Sequence, residues 1–353
     1  MTAPVVPTTR PMPGEMVLSV RDLRVWYPGP KGPSQAVDGV SFNLRRGEVL
    51  GLVGESGCGK STLGRGLLGL LPPGAGTDGQ AVFEGTDLLT LPARQRQALR
   101  GSGLGMIFQE PMTRLDPLMR ISDHFVEAIK AHEPKVSTQD AVIRATATLR
   151  SLGIPPSRFR NYPHEFSGGM RQRIMIALAL VLQPRFIVAD EPTTALDVLV
   201  EAQILRILAG IRRSYAPAML LITHNLGIVA ETCDRVAVMY AGRIVEQGPA
   251  AEIFSRPRHP YTRELLRSTI SLTTQALHSI PGAPPDLVDP PSGCRFHPRC
   301  PDAMTICAQQ DPAVLTDGED RSVECWLSDD LETLTPALRA PLEQEQVSVA
   351  DEA

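Results

Sequence analysis

Residues 54–61 read Gly-Glu-Ser-Gly-Cys-Gly-Lys-Ser and lie between a short apolar run, Glu48 to Val53, and a helical pattern from about Ser61 to Leu71. A strand, a glycine-rich turn and a helix in that order satisfy the G-x-x-x-x-G-K-[ST] pattern. The glycines let backbone N–H groups turn inward and wrap phosphate oxygens, and the helix N-terminus adds positive potential at the same point. Lys60 can reach the β- and γ-phosphates of a nucleotide, and Ser61 can ligate Mg²⁺. The candidate nucleotide contacts are therefore Gly54, Ser56, Gly57, Cys58, Gly59, Lys60, Ser61 and Thr62. Cys58 fills a variable position and reads as a small filler, not a nucleophile. A glycine-rich turn carrying a surface lysine is the bland alternative.

A second element argues against that alternative. Residues 186–191 read Phe-Ile-Val-Ala-Asp-Glu, an apolar strand ending in two carboxylates. Downstream of a phosphate loop, Asp190 is expected to hold Mg²⁺ through water and Glu191 to polarise an attacking water. Phe186 to Asp190 and Met219 to Thr223 read as buried parallel strands, so the chain is α/β. Residues 17–26 and 36–44 read as strands split by a Gly/Pro-rich turn, and residues 119–152 as mostly helical. Ser167 precedes a long apolar helix that Pro184 closes. Residues 235–248 read as a hairpin turning at Ala241-Gly242, and 281–291 as a proline-rich linker.

Composition narrows the function. A net charge of -4 argues against broad electrostatic binding to nucleic acid, so no nucleic-acid partner is expected. No uncharged apolar run approaches the roughly 20 residues that span a bilayer. The longest, Ile174 to Leu182, reads as buried helix, and Met1 to Gly14 has no apolar segment of the secretory kind. The chain is therefore expected in the cytosol, with any membrane role supplied by a partner. Residues 1–14 read as a disordered tail, 15–270 as the main domain, 271–330 as a linker with a cysteine-containing region, and 331–353 as a disordered acidic tail.

Residues 166–173 read FSGGMRQR, and with them the ordered set is complete: phosphate loop, Gln109 in IFQEP, Ser-Gly-Gly, DEPTTALD, and His224 in LLITHN. This order resembles the ATP-binding cassette (ABC) ATPases over about residues 17–327. The general superfamily signature is Leu-Ser-Gly-Gly-Gln. Phe166 and Met170 depart from it and are similar to the peptide and nickel uptake branch, as are GESGCGKST, MIFQEPMTRLDPLMRI, RHPYTRELL and CRFHPRCPDAMTIC. The resemblance implies a P-loop NTPase cassette: a RecA-like core sheet, an antiparallel β subdomain, a helical subdomain at about 110–180, and a small C-terminal cysteine-containing domain.

It also implies roles. Tyr27 stacks on adenine, with Trp26 as the neighbouring alternative. Gln109 senses the γ-phosphate and Mg²⁺, and His224 contacts the γ-phosphate. Asp197 communicates across a dimer. Ser167, Gly168 and Gly169 bind ATP held by the opposite cassette, a role that suits an N-capping serine followed by exposed N–H groups. Lys60, Gln109, Glu191 and His224 form the catalytic set. The implied cofactors are ATP and Mg²⁺. The implied partners are two integral-membrane permease subunits, a second ABC ATPase subunit (a paralogue favoured over an identical copy) and an extracytoplasmic substrate-binding protein. The implied place is the cytoplasmic face of the membrane. The implied activity is ATP hydrolysis that powers import of dipeptides or oligopeptides, with nickel, glutathione or another small solute as the alternative cargo. A soluble ABC ATPase acting on DNA or ribosomes fits less well, because the interval from Lys60 to Ser167 has no heptad run and there is one cassette. Residues 110–135 are the candidate docking segment for the permease, although Met112, Leu115, Leu118, Met119 and Phe125 could equally be core.

Cys294, Cys300, Cys307 and Cys325 cluster near the C-terminus with spacing x5, x6 and x17, unlike the C-x2-4-C that opens most zinc modules. In a reducing compartment clustering suggests metal. Four thiolates suit zinc or an iron–sulfur cluster. The branch carries a similar set, which favours [4Fe-4S], with Zn²⁺ or no metal as alternatives. His259 and His297 are expected to be packed or solvated loop histidines.

Overall fold

A computed structural model describes residues 14–109, 115–193, 198–268, 279–318, 320–329 and 333–342. Its strands in chain order are β1 (Met16–Tyr27), β2 (Ser34–Arg45), β3 (Val49–Val53), β4 (Gly76–Phe83), β5 (Thr86–Asp87), β6 (Leu104–Ile107), β7 (Phe186–Asp190), β8 (Ala218–Ile222), β9 (Arg235–Tyr240), β10 (Arg243–Pro249), β11 (Val314–Asp317) and β12 (Arg321–Glu324). They form two sheets. The smaller is antiparallel, in the order β2-β1-β4-β5, and the larger runs β11-β12-β10-β9-β3-β8-β7-β6.

Burial follows pairing. β3, β6, β7, β8 and β9 are buried at every position. They are joined in parallel as β9-β3-β8-β7-β6, so layers cover both faces and the strands read as unbroken apolar runs. β1 and β2 alternate buried and exposed residues, as strands of a half-covered antiparallel sheet do. Their inner side chains, among them Leu18, Val20 and Leu44, join Phe83 of β4 and Leu50, Leu52, Phe186 and Leu220 of the larger sheet in one core. On the other side lie the helices Ile121–His132, Thr138–Ser151 and Gly168–Leu180, packed through Phe125, Ile129, Ala145, Leu149 and Ile174. The helical stretch expected across 119–152 is two helices. Pro134 lacks the N–H a helix needs, and Ser137 caps the second helix by accepting from the Asp140 N–H at 3.0 Å.

The parallel sheet decides where chemistry can occur. β3, β7 and β8 end together, which brings Gly54, Glu191 and Thr223 to one edge. The hairpin between β9 and β10 turns at Ala241 and Gly242, with φ of 46 and 88, as the backbone of a two-residue turn with both centres left-handed requires.

The region after residue 280 is not a module apart. β12 pairs with β10, extending the large sheet, and β11 pairs with β12. Phe296 is fully buried, with its ring centroid 5.1 Å from that of Tyr240 and 5.3 Å from that of Tyr261. The proline-rich stretch is tied to the body as well, since the Gln35 N–H donates to Leu287 O at 2.8 Å. The tail expected to be disordered from 331 holds a short helix, Pro336–Arg339, and the Leu342 N–H donates to Ala303 O. The expectations for residues 1–13 and 343–353 lie outside the described residues. Phe296→Ala is expected to cost about 3–5 kcal/mol. Urea unfolding of the full chain, followed by near-UV dichroism, checks it.

Candidate active site

The phosphate loop is shaped by crowding. Gly54 has φ 151, and a Cβ there would come within 2.1 Å of Met239 O. Gly59 has φ 107, and a Cβ there would come within 2.0 Å of Ala36 O. Neither position admits a side chain, so the turn fits between β2 and the β9–β10 hairpin only as glycine. Gly57 is also left-handed, with φ 81, but faces open space.

The helix Lys60–Leu67 begins one residue before the expected start and ends at Leu67, ahead of Gly69 and Pro72. Lys60 is buried. Its ammonium donates to Gly54 O at 2.7 Å and Glu55 O at 2.8 Å, with Cys58 Sγ at 3.6 Å. The charge is thus held at the mouth of the loop with its backbone partners already made. Burial pushes the Cys58 thiol up, against the lowering effect of Lys60, which keeps it neutral and unreactive.

Ser61 Oγ donates to Asp190 Oδ1 at 2.8 Å, so the loop and the end of β7 meet at the pair proposed from sequence for Mg²⁺. Burial pushes the Asp190 carboxyl above its usual range, opposed by the Ser61 hydrogen bond and by Arg65. A divalent cation beside this carboxylate would offset the cost of burying its charge.

Glu191 follows with φ 46, a left-handed conformation rare for such a residue. Its carboxylate lies between two groups: Gln109 Nε2 donates to Oε2 at 3.1 Å, and His224 Nδ1 is 3.3 Å from Oε1. Gln109 stands just beyond β6, and His224 just beyond β8, so three adjacent strands deliver one cluster. A carboxylate aimed by an amide and an imidazole can accept a proton from a water placed before it.

Tyr27, the residue expected from the resemblance to stack on adenine, donates from Oη to Thr62 Oγ1 at 3.2 Å, which sets the ring beside the phosphate loop. Trp26 packs instead over Gly76, where a Cβ would meet its indole at 2.2 Å. Ser167 occupies the N-cap position of the Gly168–Leu180 helix, but its hydroxyl makes no capping hydrogen bond. Ser167 and Gly168 are exposed, and the expected capping function is absent. Asp197 lies outside the described residues.

The four C-terminal cysteines line one small cavity of ≈ 10 Å³, together with His259 and His297. None is in a disulfide. Burial pushes their thiols up, to about 12 for Cys300 and about 11 for Cys325, and neighbouring thiols add to the effect. Among the described residues no group of three or more His, Cys, Asp or Glu side chains stands as it would around a metal ion. The donor chemistry fits a soft metal or cluster, whereas the present spacing does not form its cage. His259 is buried and accepts the Tyr261 N–H at Nδ1, and His297 Nδ1 is 2.9 Å from Cys294 O, so both have local structural partners.

A family profile described as "ABC transporter" matches residues 37–194, and a second, "Oligopeptide/dipeptide transporter, C-terminal region", matches residues 245–307. The fold is that of solved cassettes. The dimeric ATP-binding cassette MJ0796 bound to ADP and Pi superposes with a TM-score of 0.60 at 23% identity, over 66% of this chain and 98% of that one. CbiO1 from Clostridium perfringens superposes with 0.59 at 29% identity, over 69% and 92%. Fold and site define an ABC ATPase. The dipeptide transport ATP-binding protein DppD of Bacillus subtilis is 46% identical over 89% of this chain and 96% of its own length. The oligopeptide transport ATP-binding protein OppD of Salmonella typhimurium is 46% identical over 86% and 92%. This chain belongs to the family of dipeptide and oligopeptide transport ATP-binding proteins.

A carboxyl whose folded-state pKa is raised costs stability wherever it is ionised in both the folded and the unfolded chain. Asp190→Asn is therefore expected to raise the thermal midpoint of the nucleotide-free protein at pH 7. The gain should shrink as pH falls through the carboxylate range, where Asp190 takes up its proton. The same variant is expected to lose Mg²⁺-dependent nucleotide binding. Midpoints against pH, with and without Mg-ATP, check both.

Proposed function

We propose that this chain powers the import of dipeptides or oligopeptides through a membrane permease by hydrolysing ATP at the Lys60–Asp190–Glu191 site. The observation that carries the hydrolytic part is the single cluster of Gln109, Glu191 and His224 beside the Ser61–Asp190 pair. In this reading Lys60 and the loop N–H groups hold the β- and γ-phosphates. Ser61 and Asp190, with Gln109, hold Mg²⁺, which supplies charge neutralisation on the phosphate oxygens. Glu191 takes the proton of the attacking water, and His224 steadies the γ-phosphate. Tyr27 stacks on adenine. Ser167, Gly168, Gly169 and Asp197 serve the nucleotide of the opposite cassette.

The cargo, peptide, is supported by the names of relatives matched along nearly the whole chain. No helix among the described residues is long and apolar enough to cross a membrane. The reading adds two permease subunits, with this chain at their cytoplasmic face. A second cassette, a paralogue, and an extracytoplasmic binding protein complete the system. A groove of ≈ 680 Å³ lined by Met119, Arg120, Asp123, Val126, Glu127 and Phe159 supports docking of the permease within the helical subdomain. In that segment Leu115 and Phe125 are core, Leu118 is exposed and Met112 lies outside the described residues.

The four cysteines support a [4Fe-4S] cluster, with zinc as the alternative, because four soft donors line one cavity. Their cavity would have to open to take either. Iron, zinc and acid-labile sulfide analysis of the anaerobically purified full chain tests this, and finding neither metal discards it.

Glu191→Gln is expected to keep ATP binding and to lower turnover by about 10²–10⁴-fold. ATP hydrolysis by the membrane-reconstituted complex checks it, and unchanged turnover removes Glu191 as the base.

A further inference from the structure

The five residues between Cys294 and Cys300 carry two arginines, and both side chains are only 5% exposed. Arg299 reaches the phosphate loop. Its Nη1 donates to Glu55 Oε2 at 2.7 Å and its Nη2 to Glu55 Oε1 at 3.0 Å, a two-pronged bond between a guanidinium and a carboxylate. The remaining donors are also used. Nε bonds Pro281 O at 2.8 Å, Nη2 also bonds Ile280 O at 3.3 Å, and Nη1 also bonds Tyr240 Oη at 3.3 Å.

Glu55 is the second residue of the phosphate loop, and its backbone is held too. Its N–H donates to Tyr261 Oη at 2.9 Å, and its carbonyl accepts from Lys60. Arg295 grips the other side. It donates to Ala241 O and to Asp38, and the adjoining Gly242 N–H donates to Cys58 O at 2.9 Å. One short segment of the C-terminal region thus holds the loop directly at Glu55, through Arg299, and holds the hairpin that bonds Cys58, through Arg295. An exposed ion pair of this kind would contribute little. This one is partly buried, uses both prongs and joins residues 244 apart in the chain.

We propose that Arg299 is a positioning residue for the phosphate loop. It fixes the Glu55 turn, and with it the two carbonyls on which Lys60 rests, in the shape that receives the β- and γ-phosphates. The C-terminal region thereby sets the nucleotide affinity of the cassette. The proposal rests on the reading of residues 54–61 as the nucleotide site.

The test uses the purified full chain and trinitrophenyl-ATP as a fluorescent probe, with KM for ATP and kcat measured on the reconstituted complex. Arg299→Ala and Glu55→Gln are each expected to raise Kd and KM about tenfold, the size of one lost charge-assisted hydrogen bond, with kcat at saturating ATP little changed. The double variant should bind no worse than the worse single one, because both changes remove the same contact. Arg299→Lys should recover part of the affinity, keeping the charge without the fork. If Arg299→Ala does not fold, Arg299→Lys and Glu55→Gln decide. Wild-type affinity in both, or additive losses in the double variant, would overturn the proposal, as would a loss confined to kcat. Lys60→Ala is the control. If it binds the probe as the wild type does, the nucleotide-site reading fails and the proposal with it. If it loses binding while the Arg299 and Glu55 variants do not, the proposal alone fails.

Discussion

β3 is fixed on both sides, and the site hangs from its end. β8 and β9 flank it in parallel, and at Gly51 a Cβ would come within 2.8 Å of Val229 and 2.9 Å of Cys233. A strand packed that closely cannot slide or tilt. The chain then leaves the sheet at Gly54 with its direction set, and Met239 O and Ala36 O leave the loop one path. Ser61 comes to Asp190 because β3 and β7 both hydrogen-bond to β8 and end together. The geometry of the proposed site is thus a consequence of strand order, with no residue reaching far to make it.

Electrostatics follows the same logic. The sheet edge buries Lys60 and Asp190, and each charge is offset by a local partner made by the loop. Glu191 sits one residue past the buried edge, where its left-handed backbone turns it back toward Gln109 and His224. The strain of that backbone, of order 1–3 kcal/mol, is borne by a region where β7 is fully buried and cannot relax.

Much of this was legible in the sequence. Gly54 to Ser61, Asp190, Glu191, Gln109 and His224 stand in fixed order at the ends of unbroken apolar runs, and such runs mark central parallel strands. β4 was not legible. Its first residues, Gly76 to Gln80, are polar and glycine-rich, because they run along the edge of a half-covered sheet. β11 is exposed along most of its length and carries no alternation to detect. The proline-rich stretch from 281 reads as a linker because prolines lack donors, yet the carbonyls of Pro281 and of Ile280 just before it accept hydrogen bonds from Arg299. Arg299 and Glu55 stand in two of the stretches that resemble the peptide branch, but nothing in the sequence pairs them. Their partnership spans most of the chain, and only the folded sheet brings them together.

That separation has a consequence for the making of the protein. Synthesis proceeds from the N-terminus at about 5–20 residues per second. The phosphate loop leaves the ribosome with the first sixth of the chain, and Arg299, 244 residues later, emerges on the order of 10–50 s after it. β12, which pairs with β10 in the main sheet, comes later still. The nascent cassette thus spends that interval with Glu55 uncovered and one sheet edge open. A chain cut short before Arg299 lacks the brace as well as the edge strands, so an incomplete product is unfinished at its oldest motif.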